Sequence, residues 1–122
     1  MSSGLVDAHA HLCADEFRED LEAVLAAASA AGVTRIIAVG ETLEDAQANL
    51  ALAARFAQVK VCAGLYPTTL DREAADALLA FIRANRDAVV GIGEVGLDHW
   101  TVKEDAAREI QRQIFAEFLA LA

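Results

Sequence analysis

Two histidines two residues apart follow a short apolar segment near the start of the chain, and their spacing suits metal chemistry. The segment LVDAHAHL covers residues 5–12. On a strand, residues two apart point to the same side, so Asp7, His9 and His11 share one face. Their Cα atoms then lie about 6.5–7 Å apart, and both rings can reach one cation at about 2.0–2.1 Å. This spacing predicts a metal site, and the alternative is two histidines that simply end a core strand.

A second candidate ligand lies far along the chain, where Glu94 interrupts the apolar segment of residues 88–95. A lone buried carboxylate is costly, so we expect it to be paired or bound to a cation. Parallel α/β folds place their sites at the carboxyl ends of the strands. There His9, His11 and Glu94 would form a ligand set typical of divalent metals. A solvated charge at the tip of the strand is the alternative for Glu94.

Asp7 and a few residues at other strand ends are weaker candidates. Asp7 lies one step deeper than the histidines and could accept a hydrogen bond from a ligand imidazole, or it could be a buried structural aspartate. Tyr66 could contact a substrate or serve only as a turn residue before Pro67. Asp98 and His99, next to Trp100, could contact a substrate or simply be solvated.

The elements that must position these residues form a repeating β-α pattern. We predict strands over residues 5–10, 35–39, 59–65 and 88–95, helices capped by Asp15, Thr42 and Thr101, and a further helix from about residue 71 to residue 85. Four β-α units with short loops favour a parallel sheet with right-handed crossovers. The second strand is apolar on both sides, which predicts a sheet covered on both faces. Residues 1–122 are expected to form one α/β domain, the first four units of a (β/α)₈ barrel of about 250 residues.

Composition excludes several classes of function. The net charge of −9 argues against a basic nucleic-acid-binding face, and a phosphate substrate would need a metal to offset the repulsion. Cys13 and Cys62 form no CxxC motif, which indicates buried, reduced thiols in a cytosolic protein. No signal peptide and no apolar stretch of about 18–20 residues is present, so we expect a cytoplasmic protein without a membrane span.

One glycine motif points to a different class of protein. Residues 91–96 match the G-x-G-x-x-G pattern of dinucleotide-binding domains. In that class the helix opens at the glycines and meets the pyrophosphate with its N-terminus. Here we expect the helix to open later, near Thr101. The glycines are better explained by close packing and a sharp turn at the end of the strand.

Three segments, DAHAHL (7–12), GLYP (64–67) and GEVGLD (93–98), resemble the TatD family of metal-dependent hydrolases, which belongs to the amidohydrolase-like barrels. The resemblance implies a (β/α)₈ barrel with a divalent metal centre that holds Mg²⁺, Mn²⁺ or Zn²⁺, with two ions in the complete barrel. The family's paired histidines correspond to His9 and His11, and its strand-four glutamate corresponds to Glu94. Many relatives carry histidine at the position of Tyr66.

The same resemblance implies hydrolysis of phosphoester bonds by metal-activated water, with DNA as the substrate of a DNase or 3′→5′ exonuclease. The family's later ligands are histidines from strands five and six and a catalytic aspartate from strand seven. They have no counterpart here, so the catalytic residue stays unassigned. We expect the chain to be the N-terminal half of such an enzyme, with little activity alone. The alternative is a non-catalytic, self-associating half-barrel or metal-binding module. The exposed sheet edges could pair with another copy or with the missing C-terminal half.

Overall fold

The computed structural model describes residues 4–122. Met1–Ser3, which carry part of the prediction that no signal peptide is present, lie outside the described residues. Strands and helices alternate in the order β1 (Leu5–Ala10), α1 (Leu21–Ala30), β2 (Val33–Val39), α2 (Leu43–Arg55), β3 (Val59–Ala63), α3 (Arg72–Ala84), β4 (Val89–Ile92) and α4 (Asp105–Leu121). Over this part of the chain, no helix combines the length and the apolar character needed to cross a membrane.

The four strands form one parallel sheet in the order β1-β2-β3-β4, as the sequence pattern predicts. Each strand therefore pairs with the next one along the chain. Right-handed crossovers between such neighbours bring every connecting helix to the same face of the sheet. The carboxyl ends of all four strands lie along one edge, and this edge carries the predicted site residues.

The core lies between that face and the helices. Along β3, Val59, Val61 and Ala63 are buried, whereas Lys60 and Cys62 on the other face are only half-buried. The helices contribute a buried set of apolar side chains: Leu25, Ala46, Ala75, Leu78, Leu79, Ile82, Ile114 and Phe118. This one layer of helices covers one face of the sheet.

The prediction that both faces of the sheet are covered is wrong for the described residues. In β2, Ile36 and Ala38 are buried, but Ile37 between them is only half-buried. A complete barrel fills its interior with side chains from strands on the opposite side, and four strands do not supply that layer. A strand that is apolar on both sides therefore predicts a barrel interior as well as a sandwiched sheet.

One of the three predicted helix caps is confirmed, and the helix predicted from about Asp71 is capped as well. The Thr42 hydroxyl accepts a hydrogen bond from the Asp45 N–H at 3.1 Å, and the Asp71 carboxylate accepts one from the Ala74 N–H at 3.1 Å. Each bond satisfies one of the N–H groups left unpaired in the first turn of a helix.

The other two predicted caps are wrong. Asp15 begins a short 3₁₀ turn, Asp15–Phe17, and the α-helix starts only at Leu21. Thr101 does not cap α4, which begins after Glu104. Its hydroxyl donates to the Asp98 carboxylate instead, so a local turn takes the group that the capping box needed.

Two strands end earlier than predicted. β3 ends at Ala63 and β4 at Ile92, so Glu94 lies in the loop between β4 and α4. We call residues 93–104 the rim loop.

Candidate metal centre

The histidine pair meets at the end of β1. The Nε2 atoms of His9 and His11 lie 3.0 Å apart. The rings are edge-to-face, with centroids 4.9 Å apart. Two imidazole lone pairs that face each other at this distance repel unless a proton or a cation lies between them. The spacing of the two residues on the strand therefore does produce convergent ring nitrogens.

Glu94 completes a triangle with these two nitrogens. Its Oε2 atom lies 3.6 Å from His9 Nε2 and 3.5 Å from His11 Nε2. A triangle with these sides contains a point about 2 Å from each corner, which is close to the bond length of zinc to nitrogen or oxygen ligands. The three donor atoms therefore fit a single divalent cation. His9, His11 and Glu94 are the one group of this kind found within residues 4–122.

Backbone contacts across the ends of two other strands hold Glu94 in place. The Glu94 N–H donates to the Gly40 carbonyl after β2, and the Gly93 N–H donates to the Ala63 carbonyl of β3, both at 3.0 Å. The Gly93–Glu94 peptide bond is cis. A Cβ atom on Gly64 would lie 2.6 Å from both the N and O atoms of Glu94. Only glycine at position 64 permits this approach.

Asp7 lies on the same strand but contacts the main chain. Its Oδ1 atom accepts a hydrogen bond from the backbone N–H of His9 at 3.1 Å. The side chain is exposed rather than buried, because β1 is an outer strand of the described sheet. Asp7 can therefore orient His9 through the backbone, and its bond to a ligand imidazole stays a prediction.

A cleft of about 250 Å³ adjoins the histidines and is lined by His11, Cys13, Glu41 and Asp45, among others. The Cys13 thiol donates to the buried Asn49 Oδ1 at 2.8 Å. Burial, with a smaller contribution from the Asp45 charge, raises the pKa of Cys13. Cys13 is therefore a neutral, half-buried thiol, and Cys62 is likewise free and half-buried.

The candidate substrate contacts lie further along the same rim. The backbone N–H of half-buried Tyr66 donates to the Glu41 carbonyl at 3.0 Å. Both Asp98 carboxylate oxygens accept hydrogen bonds from Thr101, one from its N–H at 2.8 Å and one from its hydroxyl at 3.1 Å. His99 is exposed. These residues line one edge of the sheet, and their contact with a substrate stays a prediction.

Sequence reasoning missed Gln111, which anchors the rim loop. Its side chain is only 2% exposed. Oε1 accepts from the Asp98 N–H at 3.1 Å, and Nε2 donates to the Pro67 carbonyl at 2.7 Å. The available signal was its position between Ala107 and Ile114 on the apolar stripe of α4, where a polar side chain needs buried partners.

The glycine motif does not form a dinucleotide site. Gly91 lies within β4, the chain after Gly96 continues as a loop, and α4 begins only at Asp105. No helix N-terminus therefore adjoins these glycines, and the requirement for pyrophosphate binding is not met.

Residues 6–122 match a family model described as TatD related DNase. The uncharacterized metal-dependent hydrolase YabD of Bacillus subtilis is 34% identical over 122 residues, which cover 97% of this chain and 46% of that protein. The 3′-5′ ssDNA/RNA exonuclease TatD of Salmonella typhimurium is 31% identical over 116 residues, which cover 90% of this chain and 44% of that protein.

Among solved structures, the crystal structure of the TatD homologue YjjV from Escherichia coli K12 superimposes with a TM-score of 0.81 and 31% identity. The match covers 97% of this chain and 46% of that one. It confirms the predicted half-barrel. The chain spans about half the length of the relatives it matches.

Proposed function

Because the chain belongs to the TatD-related DNase family, we propose that it is one domain that supplies His9, His11 and Glu94 to the metal centre of a phosphodiesterase acting on DNA. The observation that carries the proposal is the triangle of donor atoms, with sides of 3.0, 3.5 and 3.6 Å. The family name and the metal-dependent hydrolase among the relatives support the same reaction class.

The donor types favour particular ions. Two imidazoles suit Zn²⁺ and a carboxylate suits Mn²⁺ or Mg²⁺, and a second ion is proposed for the complete barrel. Three protein ligands leave positions open for water and substrate. When bound, a divalent cation would polarise a phosphoryl oxygen and activate a water molecule.

The three ligands would leave a metal-loaded site with a net positive charge. The two imidazoles are neutral ligands and Glu94 brings one negative charge, so the loaded centre carries a net positive charge. That local positive charge would attract a phosphate group although the protein as a whole has a net charge of −9. The exonuclease acting on single-stranded DNA and RNA among the relatives supports a single strand as substrate. The free thiols support a cytoplasmic location.

Metal titration of the EDTA-treated chain tests the ligand set. We expect isothermal calorimetry with Zn²⁺ and Mn²⁺ to give one site, and Glu94→Gln or His11→Ala to weaken binding at least tenfold. His99→Ala is the matched control, because His99 is the third histidine of the chain and lies outside the triangle. Equal affinity in the wild type and in both ligand variants would overturn the proposal.

Hydrolysis is tested separately with end-labelled single-stranded DNA and Mn²⁺. We expect little turnover from the 122-residue chain. His9, His11 and Glu94 would all be occupied as metal ligands, which leaves none of them to act as a general base. In a full-length parent we expect turnover that Glu94→Gln abolishes. Rapid hydrolysis by the chain alone would mean that catalysis needs no residues beyond those described.

A second candidate function is a non-catalytic half-barrel that pairs with another copy. The side chains of Leu5 and Val6 on β1 are 64% and 53% exposed, and that of Val90 on β4 is 59% exposed. An apolar outer strand with free backbone groups favours pairing with another chain. Sedimentation should then give a dimer, and a monomer at all concentrations tested would exclude this alternative.

A further inference from the structure

The rim loop carries a large aromatic side chain that is mostly exposed to solvent. Trp100 is 86% exposed, compared with 64% for Leu5 and 59% for Val90. Exposed single leucines and valines are common on protein surfaces, but a tryptophan this exposed is unusual. An indole in such a position offers a wide flat face for a ligand.

The backbone around Trp100 is fixed on both sides. The Arg108 guanidinium donates to the carbonyl of His99 at 3.2 Å and to that of Val102 at 2.9 Å. Asp98 accepts the N–H of Thr101 at 2.8 Å. The indole is therefore presented by a loop anchored to α4, and it loses little backbone freedom when a ligand binds.

A cation lies against one face of the ring. The Lys103 Nζ atom is 5.2 Å from the Trp100 ring centroid, within the range of a cation–π contact. Because Trp100 is still 86% exposed, the rest of the ring is open to solvent. A flat aromatic group on the open face would have a positive charge beside it.

We propose that Trp100 and Lys103 form a stacking platform for a base of single-stranded nucleic acid, with Lys103 beside the adjoining phosphate. The inference rests on the proposed nuclease function, since it describes how the same rim would hold that substrate. Base stacking on aromatic side chains is largely independent of sequence and requires an unpaired base.

Position and charge support this occupant. Trp100 and Glu94 are six residues apart in the same loop, and six extended residues span at most about 22 Å. One short oligonucleotide can therefore reach both. Glu104 and Asp105 follow Lys103 directly, so the surface is not basic enough to bind a duplex by its backbone charge alone. Stacking must supply the affinity, and stacking selects single strands.

Trp100 is the only tryptophan in the chain, so intrinsic fluorescence reports directly on this ring. The chain is titrated in EDTA with a short oligothymidylate, with an abasic strand of the same length and with a hairpin duplex. We expect strong quenching by the oligothymidylate alone. Equal quenching by the abasic strand, or no quenching at any concentration tested, would overturn the proposal. A blue shift that depends on protein concentration, without an effect of oligonucleotide, would assign the ring to contact between chains and would equally overturn it.

Variants separate the platform from the metal centre. Trp100→Ala should weaken binding of a fluorescein-labelled oligothymidylate about tenfold, with an unchanged circular dichroism spectrum. Lys103→Ala should weaken it less and reduce its salt dependence, and Lys103→Arg should restore both. If quenching persists while the ligand variants bind metal like the wild type, the proposed function fails and the platform stands. If Trp100→Ala binds the oligonucleotide like the wild type, the platform fails and the metal centre is unaffected.

Discussion

The two outer strands that supply the candidate metal centre hold their residues in different ways. On the β1 side, the side chains from Leu5 to His9 are exposed, and the register with β2 is irregular around Asp7. On the β4 side, Glu94 is held by a backbone hydrogen bond to Gly40 and by close packing against Gly64.

The difference separates local from tertiary positioning. The distance between His9 and His11 follows from strand alternation within one short segment. The position of Glu94 depends on the ends of β2 and β3, which belong to distant parts of the sequence. We therefore expect changes near Glu94 to disturb both folding and metal binding, whereas changes on β1 should affect metal binding with little effect on stability.

The largest effect should come from Gly64→Ala. The new methyl group would lie 2.6 Å from the backbone N and O atoms of Glu94, so the rim loop must move. We expect metal affinity to fall more than a hundredfold and the free energy of unfolding to fall by about 1–3 kcal/mol. Calorimetric titration and urea denaturation measure the two quantities.

Gly93→Ala is the matched control for this change. A Cβ atom at position 93 would meet no atom within 4 Å, although the residue adjoins Glu94. If the Gly93 and Gly64 variants lose affinity equally, the loss does not come from the packing of Gly64 against Glu94.

The next effect should be on stability and should come from Gln111→Ala. The substitution removes two buried hydrogen bonds and leaves the Asp98 N–H and the Pro67 carbonyl without this partner. We expect the free energy of unfolding to fall by about 2–3 kcal/mol, with metal affinity changed only a few-fold because Gly40 still holds Glu94. Gln113→Ala is the control, since Gln113 is exposed and its side chain bonds, within residues 4–122, only to Glu109. A larger loss of affinity than of stability would contradict this assignment.

On the β1 side, Asp7→Ala should have a smaller effect. It removes the exposed acceptor of the His9 N–H, so we expect metal affinity to fall less than tenfold and the free energy of unfolding to change by about 0.5 kcal/mol or less. Asp7→Asn keeps an oxygen at the same place and should bind metal like the wild type. If Asp7→Asn loses as much affinity as Asp7→Ala, the charge matters rather than the bond to His9.

The sequence was sufficient to predict the histidine pair, the parallel sheet and the closeness of Glu94 to both rings. These features follow from strand periodicity and from the rule that the carboxyl ends of parallel strands share an edge. The pattern could not show which face of β2 stays uncovered, because an apolar residue such as Ile37 suits both a barrel interior and a sandwiched sheet.

The rim loop was the part that local patterns described least well. Thr101 and Glu104 match a capping box, but the Thr101 hydroxyl donates to the Asp98 carboxylate instead. The anchor at Gln111 depends on the Pro67 carbonyl, 44 residues away. Only the folded chain brings Gln111 to Pro67, so reasoning from one segment at a time cannot find this contact.

The smallest expected effect concerns the pH dependence of the rim loop. The backbone N–H of Thr101, with help from its hydroxyl, lowers the pKa of Asp98 below its ordinary value of about 3.9. A carboxylate with a lowered pKa stabilises the fold above the pKa of the unfolded chain. That contribution is lost as the pH falls through the lower, folded value. The loop should therefore stay ordered at pH 5 and loosen only below about pH 3.9.

The fluorescence anisotropy of Trp100 measures this loosening, because Trp100 lies between Asp98 and Thr101 in the anchored loop. Thr101→Val removes one of the two kinds of donor to Asp98 and should shift the midpoint upward. Glu104→Gln is the control, since the Glu104 side chain makes no capping bond. A wild-type anisotropy midpoint above about pH 3.9, or the same anisotropy curve for Asp98→Asn, would show that other carboxylates govern the transition. The side chains of Gln111 and Arg108 would then anchor the loop that follows Glu94, and the Asp98–Thr101 turn would contribute nothing to its order.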